Sequence, residues 1–269
     1  MTFPASPRVK VIALAVASAL MVGATLAVVL VQHRATDVAG EAPAGSSEAS
    51  TPSLRPQDLS DQQPINEQQL SDVDAAITRL QVVPAVAGST SPQHPPVSVQ
   101  ARRHPDLYAD AFVTQLLTHD YRSNRQALLS WVQSESAQSI EQTVVGLTPP
   151  GLRNKMAVAS VQDASGGPSP IPPPAVWATL GEVDGYTTVR IQRVFTPPTW
   201  TAAVAAGKVS DPGATAREVD AEITLHTVDK GGPKTSAYSV ALTINLEGPP
   251  TRDDYGFVTA VTFHVVDVE

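Results

Sequence analysis

Apolar and polar positions follow several distinct patterns along this chain. From Val11 to Val31 no residue carries a charge (VIALAVASALMVGATLAVVLV). A helix of that length spans about 30 Å, the thickness of a hydrocarbon core, so the pattern predicts a single transmembrane helix over 11–31. Arg8 and Lys10 precede the run, which favours keeping residues 1–10 as a cytoplasmic leader and exporting the rest. A cleavable signal peptide is the competing reading. Its apolar region would be shorter and followed by a small-x-small site, whereas Ala17-Ser18-Ala19 lies inside the run. An uncleaved anchor is therefore expected.

The next pattern is a lack of one. Residues 35–104 hold eight prolines, eight glutamines and no aromatic. Such a stretch buries too little apolar surface to offset its ordering entropy, so a disordered Pro/Ser/Gln-rich linker is expected over 32–104. One segment differs: residues 71–80 place Val73, Ala76, Ile77 and Leu80 at helical spacing, with Ser71 as a candidate cap. It reads either as a fraying short helix or as a docking segment for a partner.

Strong patterning begins at Pro105, and residues 105–269 read as one folded, exported domain. Pro105 and Asp106 are helix-start chemistry. Ala109, Phe112, Val113, Leu116 and Leu117 continue as an apolar stripe. Ser123 with Gln126 suggests a capping box for a second helix through Leu128, Leu129, Trp131 and Val132. Ile140, Val144 and Val145 mark a third short helix, which Gly146 ends. After Pro149-Pro150 the period changes to two. Strands are expected at Val219–Thr227 and Tyr238–Leu246, joined through Asp229–Pro233, and at Phe257–Val266, the last being apolar on both faces and so central or helix-covered. Val176–Val183 and Tyr186–Phe195 flank Asp184-Gly185, a hairpin signal, and Met156–Gln162 reads as a short sixth strand. Helices followed by a meander of antiparallel strands predict an α+β fold, a curved sheet wrapped over the first long helix. Residues 197–216 form a long insertion carrying Trp200.

Composition narrows the chemistry. The 269 residues include no cysteine, which excludes disulfides, thiolate metal sites and a lipidated anchor. Of the net charge of −8, residues 105–269 carry −7, so direct nucleic-acid binding is not expected. The six histidines show no HExxH and no close pair, and GxSxG, GxGxxG and GxxxxGK[ST] are absent, so no metal, cofactor or catalytic residue is predicted. His119, His226 and His264 read as solvated or hydrogen-bonded structural groups. Arg122 and Arg125 are expected to pair with nearby acids. Candidate interaction or pocket positions are Trp200 in the insertion, Asp253 and Asp254 beside Arg252 in a turn, and His264 on the last strand.

The layout, together with the run Ala111-Phe112-Val113-Thr114-Gln115-Leu116-Leu117-Thr118-His119-Asp120-Tyr121-Arg122, resembles the TcpC-type conjugal transfer proteins, bitopic assembly components of type IV secretion systems. That resemblance implies an exported nuclear-transport-factor-2-like cone and a non-enzymatic scaffold in the cytoplasmic membrane. Its partners would be other copies of itself, other conjugation-channel proteins and, through residues 11–31, the bilayer. An anchored protein associated with Mce lipid-import complexes, and a small-molecule-binding or enzymatic cone using His264 or Asp254, are the alternatives. A cone filled by Trp131, Trp177 and Phe263 would argue against the last.

Overall fold

The computed structural model describes residues 67–162 and 168–267. Helix α1 spans Glu67–Val82, and an extended segment then leads through a 3-10 turn at Ala101–Arg103 into α2, Pro105–Leu117. There follow α3, Arg125–Glu135, the single turn α4, Gln142–Val145, a 3-10 segment at Pro150–Lys155, α5, Met156–Val161, and α6, Pro174–Gly181. Strand β1, Tyr186–Phe195, is separated by α7, Pro198–Ala205, from the long hairpin β2, Ala214–Asp229, and β3, Gly232–Glu247. Strand β4, Gly256–Asp267, completes the sheet.

The sheet is an antiparallel meander in the order β1-β2-β3-β4. Its inner face carries Val219, Ala221, Ile223, Val240, Leu242, Ile244, Leu246 and Phe257 against the helices. At the centre the Phe112 ring stacks on Phe257 at 4.4 Å and on Trp131 at 5.1 Å, all three fully buried. Burial of each such side chain contributes about 1.5–3 kcal/mol from transfer alone, before packing is counted.

Several expectations are corrected. The expected architecture was one transmembrane helix, a disordered linker and a cone. Among the described residues there is instead one α+β unit with a four-stranded sheet, and no helix is long and apolar enough to cross a membrane; the expected leader, 1–10, and span, 11–31, lie outside the described residues. The linker expected over 32–104 is structured from residue 67 onward. Its attachment explains why an aromatic-free stretch orders: Val97 and Ala101 enter the main core, and polar contacts tie the segment to the helices. Glu135, on α3, accepts the Val97 N–H at 3.1 Å and pairs with Arg102 at 2.6 Å. Tyr108 donates to the same carboxylate at 3.2 Å. Lys155 donates to the Val83 carbonyl at 2.7 Å, just past α1. The helix expected at 71–80 lies inside α1, which starts at Glu67, so Ser71 is not its cap.

Two of the expected strands are helices, which leaves four strands rather than six. Most of Val176–Val183 falls in α6, where Pro174 sets the first turn and the Trp177 indole donates to the Ser123 carbonyl at 3.1 Å. Met156–Gln162 is α5, whose buried Ala157, Val158 and Val161 form a helical stripe. The Asp184-Gly185 turn exists, but it joins α6 to β1 rather than two strands. Asp184 sits at φ 50, and a Cβ on Gly185 would meet the Leu180 carbonyl at 2.7 Å. Helix α3 is capped by Asn124, which accepts the Gln126 N–H at 2.9 Å, because the Ser123 hydroxyl is turned to the Asp120 carbonyl. Strand β4 lies at the edge and is covered rather than central: the Ser160 hydroxyl of α5 accepts the Ala260 N–H at 2.9 Å.

Candidate functional site

Side-chain alternation splits the end of the sheet where β2 begins and β3 ends. Ile244 and Leu246 point into the main core, so Asn245 and Glu247 point to the opposite, outer face, as Ala214 does on the paired strand. There a second cluster forms: Ala137, Val144, Ala214 and Val258, with Trp200 of α7 packed against it. The insertion expected at 197–216 is thus a helix and a strand start, and it covers the sheet from the side away from α2.

Three acids are buried under this cover. Glu141, at the start of α4, receives five donors. Its Oε1 accepts the Thr143 N–H and hydroxyl, and its Oε2 accepts the Ser210 N–H at 2.7 Å, the Ser210 hydroxyl at 3.0 Å and the Asp211 N–H at 2.8 Å. Burial pushes this carboxyl up, but the donors outweigh it and hold it down at about 2. Asp211 Oδ1 accepts the Gly213 N–H at 2.9 Å and the Thr251 hydroxyl at 2.5 Å, while its buried Oδ2 has no donor. Glu247 is 0 % exposed and neither of its oxygens has a donor. Burial raises the Glu247 carboxyl and the nearby Asp211 carboxylate raises it further, to about 7. The two connections meet at Gly213, whose N-terminal neighbours carry Asp211. A Cβ there would lie 2.5 Å from the Gly248 carbonyl, so only glycine permits the approach.

Beyond this cover the outer face is open. Arg190 pairs with Glu222 at 2.6 Å and Arg193 with Asp220 at 2.7 Å, both across β1 and β2. The Arg193 guanidinium lies over the Phe195 ring at 4.2 Å, and Tyr186 stacks on His226 at 4.5 Å. The Thr262 hydroxyl donates to Thr243 at 3.0 Å between β4 and β3.

The sequence candidates are dispersed across this framework. Trp200 is half-buried in the second cluster. Asp253 is exposed and Asp254 half-buried in the β3–β4 turn, and His264 is exposed on β4 opposite Ala241. Ten residues of chain, about 30 Å of strand, separate Asp254 from His264, so these two do not share a pocket. Glu141, Asp211 and Glu247 were not singled out from the sequence. No local cue marks them: in the alternation Ile244-Asn245-Leu246-Glu247, Glu247 takes the polar position, as Asn245 does. His119 is buried between the Tyr121 hydroxyl at 3.1 Å and the Leu116 carbonyl at 2.8 Å, and burial lowers it to about 4, the Leu116 bond opposing. Arg122 pairs with Asp120 at 2.9 Å, but Arg125 donates to the Pro172 carbonyl and the Gln162 side chain instead of to an acid. Among the described residues no group of three or more His, Asp or Glu is placed to hold a metal ion. A cavity of about 50 Å³ beside Val86, Gln133 and Val158 has room for a few waters.

No family model, curated protein or solved structure matches this chain.

Proposed function

We propose that the chain is a non-enzymatic scaffold that works by presenting the outer face of its sheet to other proteins, including further copies of itself. The observation that carries this reading is the contrast across the sheet. The helix side is filled by the Phe112, Trp131 and Phe257 stack, with Trp177 buried nearby and Phe263 packed against the core. The opposite side offers an ordered row of charged, aromatic and threonine side chains from all four strands. A face of paired charges fits specific protein contact better than nonspecific adhesion, because a partner must match the pattern to displace or extend it. The −7 charge of residues 105–269 disfavours nucleic acid as the contact.

The conjugative type IV secretion channel is the setting in which we place this scaffold. The support is the similarity of residues 111–122 to the TcpC-type run, and location at the cytoplasmic membrane rests on the uncharged stretch of residues 11–31. The reading is tested in the source cell. Deleting the gene is expected to reduce transfer of the mobile element, and an R190E/R193E form, still folded, is expected to fail to restore it. Unchanged transfer on deletion would sink the conjugation assignment; full restoration by R190E/R193E would sink the outer face as its contact surface.

A further inference from the structure

Three oxygens where β2 begins and β3 ends are buried without a donor: both of Glu247 and Oδ2 of Asp211. Glu247 is fully enclosed and Asp211 is 6 % exposed, so bulk water does not solvate them. Two facing carboxylates accept only, and a buried pair of like charges without donors is strongly unfavourable. One proton resolves the arrangement. A proton on Glu247 turns one of its oxygens into a donor, and Asp211 is placed beside it: the Asp211 carbonyl accepts the N–H of Ala214, the β2 residue paired with Glu247.

We propose that Glu247 and Asp211 share a single proton, and that this proton latches the α7–β2 connection onto the outer face of the sheet. Asp211 lies on that connection and Glu247 on the end of β3, so the shared proton joins two elements that meet otherwise through Thr251, Gly213 and Gly248. When the proton leaves, two negative charges face each other inside the cover. The connection then lifts and uncovers Ala137, Val144 and Val258, beneath Trp200. Glu141 supports the closed form from the other side by accepting the Ser210 and Asp211 N–H groups. The titratable and charged groups around Glu247 are Asp211, Arg252 of the β3–β4 turn and, beyond Asp211, Glu141. Arg252 acts against protonation, and Asp211 together with burial acts for it.

The direction follows from linkage. Glu247 keeps its proton to a higher pH in the folded chain than in the unfolded one. The latch is therefore complete on the acid side and weakens as pH rises through about 7. His119 responds oppositely, because it is held neutral and resists protonation below its ordinary range. The pH curve of the unaltered protein thus mixes the two, and the informative quantity is its difference from a variant.

The test is amide hydrogen exchange of Ser210, Asp211 and Gly213 in the full chain at pH 6 and pH 8, corrected for intrinsic exchange rates. Wild type is expected to lose about tenfold in protection at the higher pH, one unit above the Glu247 transition. Glu247→Gln keeps the donor and the shape without the charge, and is expected to keep its protection at both values. Asp211→Asn supplies an amide donor to Glu247 and is expected to behave the same way, an independent check should one variant fold poorly. An equal change in wild type and both variants would overturn the proposal, as would no change in wild type. Calcium restoring wild-type protection at pH 8, without affecting Glu247→Gln, would also overturn it, because a cation rather than a proton would then complete the site.

Discussion

The two faces of this sheet handle the same problem in opposite ways. On the helix side, Phe112, Trp131 and Phe257 fill the space with hydrocarbon, and the main buried acid there, Glu135, is answered by Arg102, the Tyr108 hydroxyl and the Val97 N–H. On the outer side the cover is thin. A handful of apolar side chains and Trp200 enclose three acids, of which only Glu141 is fully answered by donors. Apolar filling is insensitive to pH, whereas an enclosed carboxyl takes its stability from whichever donors and protons reach it. One face is therefore built for permanence, and the other for a balance that solution conditions can move.

That contrast can be broken from either side. Trp131→Ala should have the largest effect, since it empties the centre of the stack: about 3–5 kcal/mol lost in denaturant unfolding, enough to unfold a marginal domain. Arg102→Ala should follow at about 3 kcal/mol, because Glu135 would be left as a buried charge without its cation. It should also free residues 83–104 to limited proteolysis, and an unchanged digestion pattern would contradict the role of this pair in tying that segment down. Glu141→Ala strips the Ser210 and Asp211 N–H groups of their acceptor and should cost about 1–3 kcal/mol, with the loss in protection confined to the connection before β2.

The acid limb offers a fourth measure. Glu141 is held well below its ordinary value when folded, so its contribution is present above the ordinary carboxylate range and disappears as pH falls from there toward about 2. His119 is likewise depressed, so its contribution is present above about 6.5 and is lost as pH falls toward about 4. His119→Gln should therefore remove the rise in thermal stability between those two values and leave the opposite, Glu247-driven slope, while Glu141→Gln should remove the acid-side loss from the ordinary carboxylate range down toward about 2. Smallest of all, Arg190→Ala should change stability by about 0–0.5 kcal/mol, since its pair with Glu222 is solvent-exposed. A larger loss would mean that the open face has a structural role of its own.

Much of the helix side was legible along the chain. The stripe from Ala109 to Leu117, the start at Pro105 and the β2–β3 alternation all carry periods that local sterics impose, and each appears where expected. The errors fall where local signals are short. Residues 156–162 and 176–183 are apolar runs of a length at which strand and helix patterns look alike, and Pro174 and the 3-10 segment before Met156 decide for helix. Residues 83–104 carry no aromatic and no regular apolar period, although Val97 and Ala101 reach the core. Their order depends on Glu135, more than thirty residues further along the chain.

The chain's own periodicity thus settles which stretches become the long helices and the central hairpin, and that α precedes β, because those follow from backbone geometry and the spacing of apolar side chains over a few residues. Composition likewise settles the absence of thiol chemistry and the acidity of residues 105–269. The meeting of Glu141, Asp211 and Glu247 has no such local trace. These acids lie far apart in sequence, and only the pairing of Ala214 with Glu247 and the folding back of α7 enclose them together. A carboxyl's protonation depends on burial and on what faces it across space, and neither is a property of its neighbours along the chain.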